Sequence, residues 1–320
     1  MISIAMATYN GARFIREQLD SILAQTITDW ELVVCDDCSS DETVSILQEY
    51  ITKDSRIQLH RNPQNLGFKR NFEQSISLCK GDYIALCDQD DIWYPTHLEI
   101  LVNQIGNYSL SIGNSDIVDS NNNFLNKKMS DTDALYIIPE DSKKLLYRAL
   151  LNSNPFQGAA MLLKKEFANK CLPIPNDIRF HDTWISACAC ALDGIIYSFN
   201  PIIRYRQHNK NVTIESERIK KHSVWQTYTN YIIKAFKTLV NKHHSSTDRF
   251  MIAEELHKRF GNFNEDFAQI ALFLDHSKKH HLTYNDIKFL WRNIEYITTS
   301  KSKSEFLHFW FLWSHMNPII

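Results

Sequence analysis

Asp88-Gln89-Asp90-Asp91-Ile92-Trp93 crowds three carboxylates into four positions, directly after the apolar run Tyr83-Ile84-Ala85-Leu86-Cys87. The run has the composition of a buried strand, and Gly81-Asp82 ahead of it reads as a turn. Carboxylates gathered at the end of such a strand repel one another and are costly to desolvate. A divalent cation removes that penalty, and hard oxygen ligands suit Mg²⁺ or Mn²⁺. The plainer reading is a solvated acidic turn. What decides between them is whether the rest of the chain supplies something for a cation to serve.

Working outward, strand-like and helix-like segments alternate from the first residue. The run Ile2-Ser3-Ile4-Ala5-Met6-Ala7 is broken by Thr8-Tyr9-Asn10-Gly11, after which Phe14, Leu19, Ile22 and Leu23 recur at helical spacing. A second strand runs from Trp30 to Cys35 and ends at Asp36-Asp37-Cys38-Ser39-Ser40-Asp41. The next helix carries Val44, Leu47 and Tyr50 on one face, with Ser40 or Asp41 as its N-cap. Ile57-Gln58-Leu59 is a third strand, and Asn65-Leu66-Gly67 leads into a helix over Asn71–Cys79. This alternation predicts an α/β fold with parallel strands joined by crossover helices. Ligands in such sheets gather at the carboxyl ends of the strands. Thr8-Tyr9-Asn10, Asp36-Asp37, Asn65 to Arg70, and Asp88 to Asp91 all fall there. Neither G-x-G-x-x-G nor a Gly-Lys-Ser/Thr loop is present, which disfavours a dinucleotide site and a P-loop.

Further on, residues 107–150 are polar, with short strands at Leu110-Ser111-Ile112 and Asp116-Ile117-Val118. Asn154 to Leu163 reads as loop and strand, Phe180-His181-Asp182-Thr183-Trp184 opens a helix, and Ile195–Phe199 and Ile202–Arg206 read as two strands. From about Glu215 the pattern is helical to the end. With 320 residues, 44% apolar and 22% charged, the chain has the make-up of a globular protein able to bury a large core. Charge is unevenly spread: residues 1–200 hold 17 Lys/Arg against 26 Asp/Glu, whereas residues 201–320 hold 18 against 11 and ten of the 13 His. That asymmetry suggests a C-terminal face for an anionic partner such as a membrane surface, or simply a solvated helical face. Seven Cys without metal-site spacing read as free thiols in a reducing compartment, Cys35 and Cys38 included. No signal peptide or transmembrane span is expected, so the expected location is the cytoplasm.

Taken together, Ala7 to Gly11, Asp36 to Thr43, Asn65-Leu66-Gly67 with Arg70-Asn71, Asp88 to Asp91, Phe180 to Trp184, and Tyr205-Arg206-Gln207-His208 resemble glycosyltransferase family 2, inverting nucleotide-sugar enzymes of the GT-A fold. The segments run in order across residues 2–213; Asp-Gln-Asp-Asp-Ile-Trp, His-Asp-x-Trp and Tyr-Arg-Gln-His are most similar to the bacterial rhamnosyltransferase-like branch. The resemblance implies a GT-A nucleotide-binding sheet flanked by helices over residues 1–214, with a helical extension over 215–320. It places Thr8, Tyr9, Asn10, Asp36, Asp37, Asn65, Gly67, Arg70 and Asp88 at the nucleotide sugar. Tyr9 flanks the base, Asp37 accepts from a pyrimidine N3–H, Asp36 joins it or only holds the loop, and Asp88 lies near the ribose. Asp90 ligates Mg²⁺ or Mn²⁺, with His208 completing the metal or diphosphate site. Lys69 or Arg70 neutralises phosphate or is a solvated charge.

The same resemblance makes Asp182 the base that removes the acceptor's proton; on local grounds alone an Asp there is an N-cap. Asp91 assists the metal or touches sugar, His181 orients the base or the acceptor, Trp184 is a sugar-stacking face or core, and Gly158 allows close approach. The implied reaction moves rhamnose from TDP-rhamnose, or a hexose from a UDP-hexose, onto a glycan or lipid-linked precursor of a surface polysaccharide. Implied partners are the donor, that acceptor, and through the C-terminal region a membrane surface or a second copy; no nucleic acid is expected. Phe306 to Trp313, apolar almost all round as a helix, is either a membrane-surface anchor or a packing helix. Two rival readings stand beside this one: a non-catalytic nucleotide-sugar-binding protein, and a metal-dependent nucleotidyltransferase.

Overall fold

The structure, a computed structural model, describes residues 1–131, 156–208, 244–261, 265–278 and 283–292. The first half alternates as the sequence pattern requires: β1 (Ile2–Thr8), α1 (Ile15–Leu23), β2 (Trp30–Asp36), α2 (Thr43–Ile51), β3 (Ile57–Arg61), α3 (Phe68–Leu78) and β4 (Tyr83–Asp88). The four strands lie side by side in the order β3-β2-β1-β4, and every pair among them is parallel. Their near-continuous apolar runs follow from burial on both faces; Ile4, Met6, Leu32, Ala85 and Leu86 are all fully buried. Asp41 caps α2 as expected in function if not in position: it accepts the Thr43 amide at 3.0 Å, while Glu42 occupies the geometric cap.

Past β4 the sheet changes character. The elements are β5 (Ile92–Trp93), α4 (His97–Ile105), β6 (Leu110–Val118), β7 (Phe124–Lys128), β8 (Met161–Lys164), α5 (Lys165–Cys171), α6 (His181–Ala191) and β9 (Ile195–Arg206). β8 runs antiparallel to β4 and to β6, β6 is parallel to β9, and β5 closes the far edge antiparallel to β9. The nine-stranded sheet is therefore mixed, in the order β3-β2-β1-β4-β8-β6-β9-β5, with β7 on β6.

Two pairs of short strands expected from the pattern are each one long strand here. Asn114 and Asn200-Pro201 interrupt the apolar periodicity, yet pairing resumes beyond a register shift at Gly113/Asn114/Ser115. The irregularity is held by Asn114, which donates to Phe199 O at 2.9 Å and accepts the Ser130 amide at 3.0 Å. Gly113 lets Ile202 press against the backbone, where an added Cβ would lie 2.2 Å from Ile202 Cδ1.

Three further helices follow, α7 (His244–Phe260), α8 (Glu265–Lys278) and α9 (Tyr284–Arg292). Phe267, Ile270 and Phe273 are fully buried. Arg259 of α7 lies over the Trp184 ring at 4.9 Å and donates to Pro173 O at 2.6 Å, so this helix packs on α6 and the segment before it. The boundary at 214/215 and the apolar segment Phe306 to Trp313 lie outside the described residues. Among the described residues no helix is long and apolar enough to cross a membrane. All seven cysteines are free, and Cys35 is buried in β2.

Candidate functional site

Register brings the strand ends level: Thr8 lies beside Asp36, and Ala7 beside Asp88. Thr8 and Asp36, expected at the ligand, instead form the floor beneath it. Thr8 is 1% exposed and donates its hydroxyl to Asp36 at 3.0 Å, while fully buried Asp36 also accepts the Ser39 amide at 3.0 Å. A buried carboxylate needs such donors, and these two loops supply them.

Above this floor stands Tyr9, 49% exposed. Its backbone is held by a residue that the sequence reading passed over. The Gln89 amide brackets Tyr9, Oε1 accepting its N–H at 2.9 Å and Nε2 donating to its carbonyl at 3.0 Å. Gly11 makes room for that bracket, since an added Cβ would fall 2.1 Å from Gln89 Oε1. The position of Gln89, between two acidic residues at a strand end, was the one available signal. Asn10 adopts φ 47° and accepts the Ser40 amide at 2.8 Å, tying the first loop to the second.

Asp37 is 2% exposed and acts as a latch. Its Oδ1 accepts the Leu66 amide at 2.7 Å and Asn62 Nδ2 at 3.0 Å; its Oδ2 accepts the Gly67 amide at 2.8 Å. One lone pair of Oδ2 remains for a further donor. Asn65 supports the latch, its Oδ1 accepting the Gly67 amide at 3.1 Å. Gly67 has φ 81° and ψ 154°, a region essentially restricted to glycine.

The acidic cluster converges with residues from much later in the chain. His208 Nε2 lies 2.7 Å from Asp90 Oδ2, and the His208 ring stacks on Phe14 with centroids 4.7 Å apart. Asp88 feels the negative charges of Asp90 and Asp182; burial first, then these two, push its carboxyl up to about 7. Asp182 is half-buried in the first turn of α6, with Oδ1 accepting the Thr183 amide at 2.6 Å. It is not the helix N-cap, a position held by Phe180. Gly158 lies behind it: an added Cβ would meet His181 Nε2 at 2.7 Å and Asp182 Cβ at 3.6 Å. His181 stacks on Phe72 at 4.1 Å, and among the described residues neither ring nitrogen has a hydrogen-bond partner. Burial holds His181 below the ordinary histidine range, against the pull of Asp182.

Four further residues singled out by the sequence are engaged by the protein itself. Asp91, expected to assist the metal or touch sugar, is 1% exposed; its Oδ1 accepts the Arg206 amide at 3.0 Å and fastens the loop to β9. Burial, with Asp90 and Asp88 adding to it, raises its carboxyl well above the usual range. Trp184 is fully buried and donates Nε1–H to Cys171 O at 2.7 Å, which makes it core rather than a sugar platform. Lys69 and Arg70 bind the 174–178 segment: Lys69 donates to three carbonyls of residues 175–178, and Arg70 to Ile174 O, Glu73 and Asn176. Arg206 is a residue of comparable weight: 1% exposed, it donates to Asp90 O at 2.8 Å, Ser120 O at 3.1 Å and Glu17 at 2.9 Å.

Among the described residues no three His, Cys, Asp or Glu side chains form a ready-made metal cage. The donor set nonetheless fits Mg²⁺ or Mn²⁺. Such ions are commonly held by one or two carboxylates, with substrate phosphates and water completing the shell. Asp90 and His208 converge, and Asp88 beside them carries an electrostatic penalty that a cation would relieve.

Comparison with known proteins points the same way. The chain is 37% identical over 123 residues to the Escherichia coli UDP-Glc:alpha-D-GlcNAc-diphosphoundecaprenol beta-1,3-glucosyltransferase WfgD, a match covering 38% of this chain and 48% of that protein. It is 28% identical over 243 residues to the glycosyltransferase MJ1057 of Methanocaldococcus jannaschii, covering 72% of this chain and 78% of that one. The match thus spans about half of WfgD's own length. In structure it is similar to Staphylococcus aureus TarS solved with UDP-GlcNAc, at TM-score 0.53 and 17% identity over 90% of this chain and 83% of that one. The Pyrobaculum calidifontis mannosyltransferase PcManGT, solved with GDP-Man and Mn²⁺, gives TM-score 0.51 and 15% identity over 91% and 87%. These neighbours share the GT-A fold. The family model described as Glycosyl transferase family 2 matches residues 3–172, the span that builds the strand-end loops, and the chain belongs to that family.

Proposed function

We propose that the chain is an inverting glycosyltransferase that moves a sugar from a nucleoside-diphosphate sugar to a hydroxyl of a lipid-linked glycan precursor. The observation that carries this reading is His208 Nε2 at 2.7 Å from Asp90 Oδ2 at the strand ends, with Asp182 on the α6 turn that packs on Gly158. One cluster suits a diphosphate, the other a proton acceptor, and a glycosyl group transfers between such sites. Tyr9 offers an exposed ring to the base, the open lone pair of Asp37 Oδ2 suits a pyrimidine N3–H, and Asp88 suits the ribose. Asp90 and His208 would hold Mg²⁺ or Mn²⁺. When bound, the cation supplies positive charge that steadies the departing diphosphate. Asp182 takes the proton of the acceptor hydroxyl as its oxygen attacks the anomeric carbon from the face opposite the leaving group, inverting that centre.

WfgD is named for UDP-Glc and TarS was solved with UDP-GlcNAc, which favours a UDP-hexose over TDP-rhamnose as donor. WfgD's named acceptor, a diphosphoundecaprenol-linked sugar, favours a lipid-linked acceptor and action at the inner membrane face. Contacts with membrane or a second copy through 215–320 belong to the same proposal.

Asp182→Asn tests the reading. Transfer should fall by about 10²–10⁴-fold, the usual contribution of a general base. UDP affinity in the presence of Mn²⁺ should stay within about twofold, since the variant keeps the nucleotide face. Retained turnover would remove Asp182 from its role. A protein that UDP, TDP, GDP and CDP all fail to stabilise against heat, with or without Mn²⁺, would contradict the whole reading. Binding without turnover in the wild type would instead favour the non-catalytic reading.

A further inference from the structure

Between α5 and α6 the chain crosses residues 172–180 without regular structure and then enters the turn carrying Asp182. Such a segment takes its shape from side chains that satisfy its backbone groups. Most of those side chains sit on α3. Lys69 donates to Pro175 O at 3.0 Å, Asn176 O at 2.7 Å and Ile178 O at 2.7 Å. Arg70 donates to Ile174 O at 2.9 Å, and Glu73 accepts the Ile174 amide at 2.9 Å. An ammonium has three N–H donors, and three short charge-assisted bonds converge on one four-residue stretch.

Lys69 lies two positions after Gly67, on the helix entered from the loop that Asp37 latches. The other end of its bonds lies four residues before Asp182. One side chain therefore joins the loop at the donor side to the segment that delivers the base. We propose that Lys69 is a positioning residue, which fixes Asp182 relative to the donor by clamping residues 175–178 to the start of α3. This rests on the reading of Asp182 as the base. A displacement near 1 Å at the reacting groups costs on the order of 10²-fold in rate.

The test replaces Lys69 with Met, which keeps the stem and removes every donor, in the full-length protein. UDP-glucose, or TDP-rhamnose where the donor panel selects it, is the substrate, and Mn²⁺ is present throughout. The expected result is a kcat lower by about 10–100-fold, with donor KM and UDP affinity within about twofold of wild type. Hydrogen exchange should also speed up by at least about tenfold at the amides of residues 176–180. Should Lys69→Met not fold, Lys69→Gln, which keeps a shorter polar end, should show both effects to a smaller degree.

Unchanged kcat in an active enzyme overturns the proposal while leaving Asp182 as base. So does a loss confined to KM and UDP affinity, which would make Lys69 a donor contact. Unchanged exchange at 176–180 removes the clamp itself. A wild type that turns over no donor overturns the enzyme reading and this positioning role together, and is told apart by the wild-type assay alone.

Discussion

Asp182 and Trp184 are two residues apart in one motif, yet they face opposite ways. Two steps along a helix turn the side chain by about 200°, so one end of the pair enters the site and the other the core. Trp184 is fully buried under Arg259. Trp184→Ala should therefore lower stability by about 3–5 kcal/mol, as cavity-forming aromatic truncations do. Urea unfolding would measure it; a fall in acceptor affinity at unchanged stability would restore the sugar-stacking role. The sequence put both residues at the start of one helix but could not orient them, because orientation is set by where α6 rests. The same gap explains Lys69 and Arg70. Their charge suggested phosphate, whereas the carbonyls of residues 174–178, more than a hundred residues later, accept from both cations. Gln89 is hard to read for the opposite reason: beyond its place between two acidic residues, its role consists of bonds to the Tyr9 backbone, which no residue type announces.

At the scale of elements, the four parallel strands were legible because each pairs an apolar run with a polar end. β5, two residues long, was not, and β6 and β9 were each read as two strands because polar residues cross their midpoints. The loop between β3 and α3 is the element most exposed to a single change. Gly67 has open space around it, so a side chain there would meet no neighbour; the obstacle is its backbone conformation at φ 81°. Gly67→Ala should cost about 1–3 kcal/mol of local strain and loosen the loop from Asp37. Isothermal titration of UDP with Mn²⁺ should then show affinity weakened by about tenfold or more, while kcat at saturating donor changes little. Equal affinity in the variant would show that the latch does not serve the nucleotide.

For the molecule as a whole, pH separates two buried populations. His97 is fully buried, stacks on Trp93 at 3.8 Å and faces Ile202 O at 3.2 Å; burial pushes it down to about 3. Below pH 6.5 the unfolded chain binds a proton that the folded one refuses, so this histidine's contribution is present above pH 6.5 and lost as pH falls toward 3. Asp88, raised by burial, works in the other direction between its ordinary range and about 7. Wild-type stability alone mixes the two. The difference between wild type and His97→Gln isolates the histidine, and should shrink by about 1.4 kcal/mol per pH unit between roughly pH 6 and 4. Chemical denaturation at stepped pH measures it, and a difference flat with pH would show that His97 titrates normally. The edge strand has a consequence in time. β5 pairs with β9, and Arg206 closes on the carbonyl of Asp90. During synthesis the nucleotide half is therefore made first, and on the order of ten seconds pass before Arg206 and His208 are added. The nascent chain cannot complete its acidic loop in that interval, so the parallel strand ends stand without Arg206 and His208 until β9 has been made.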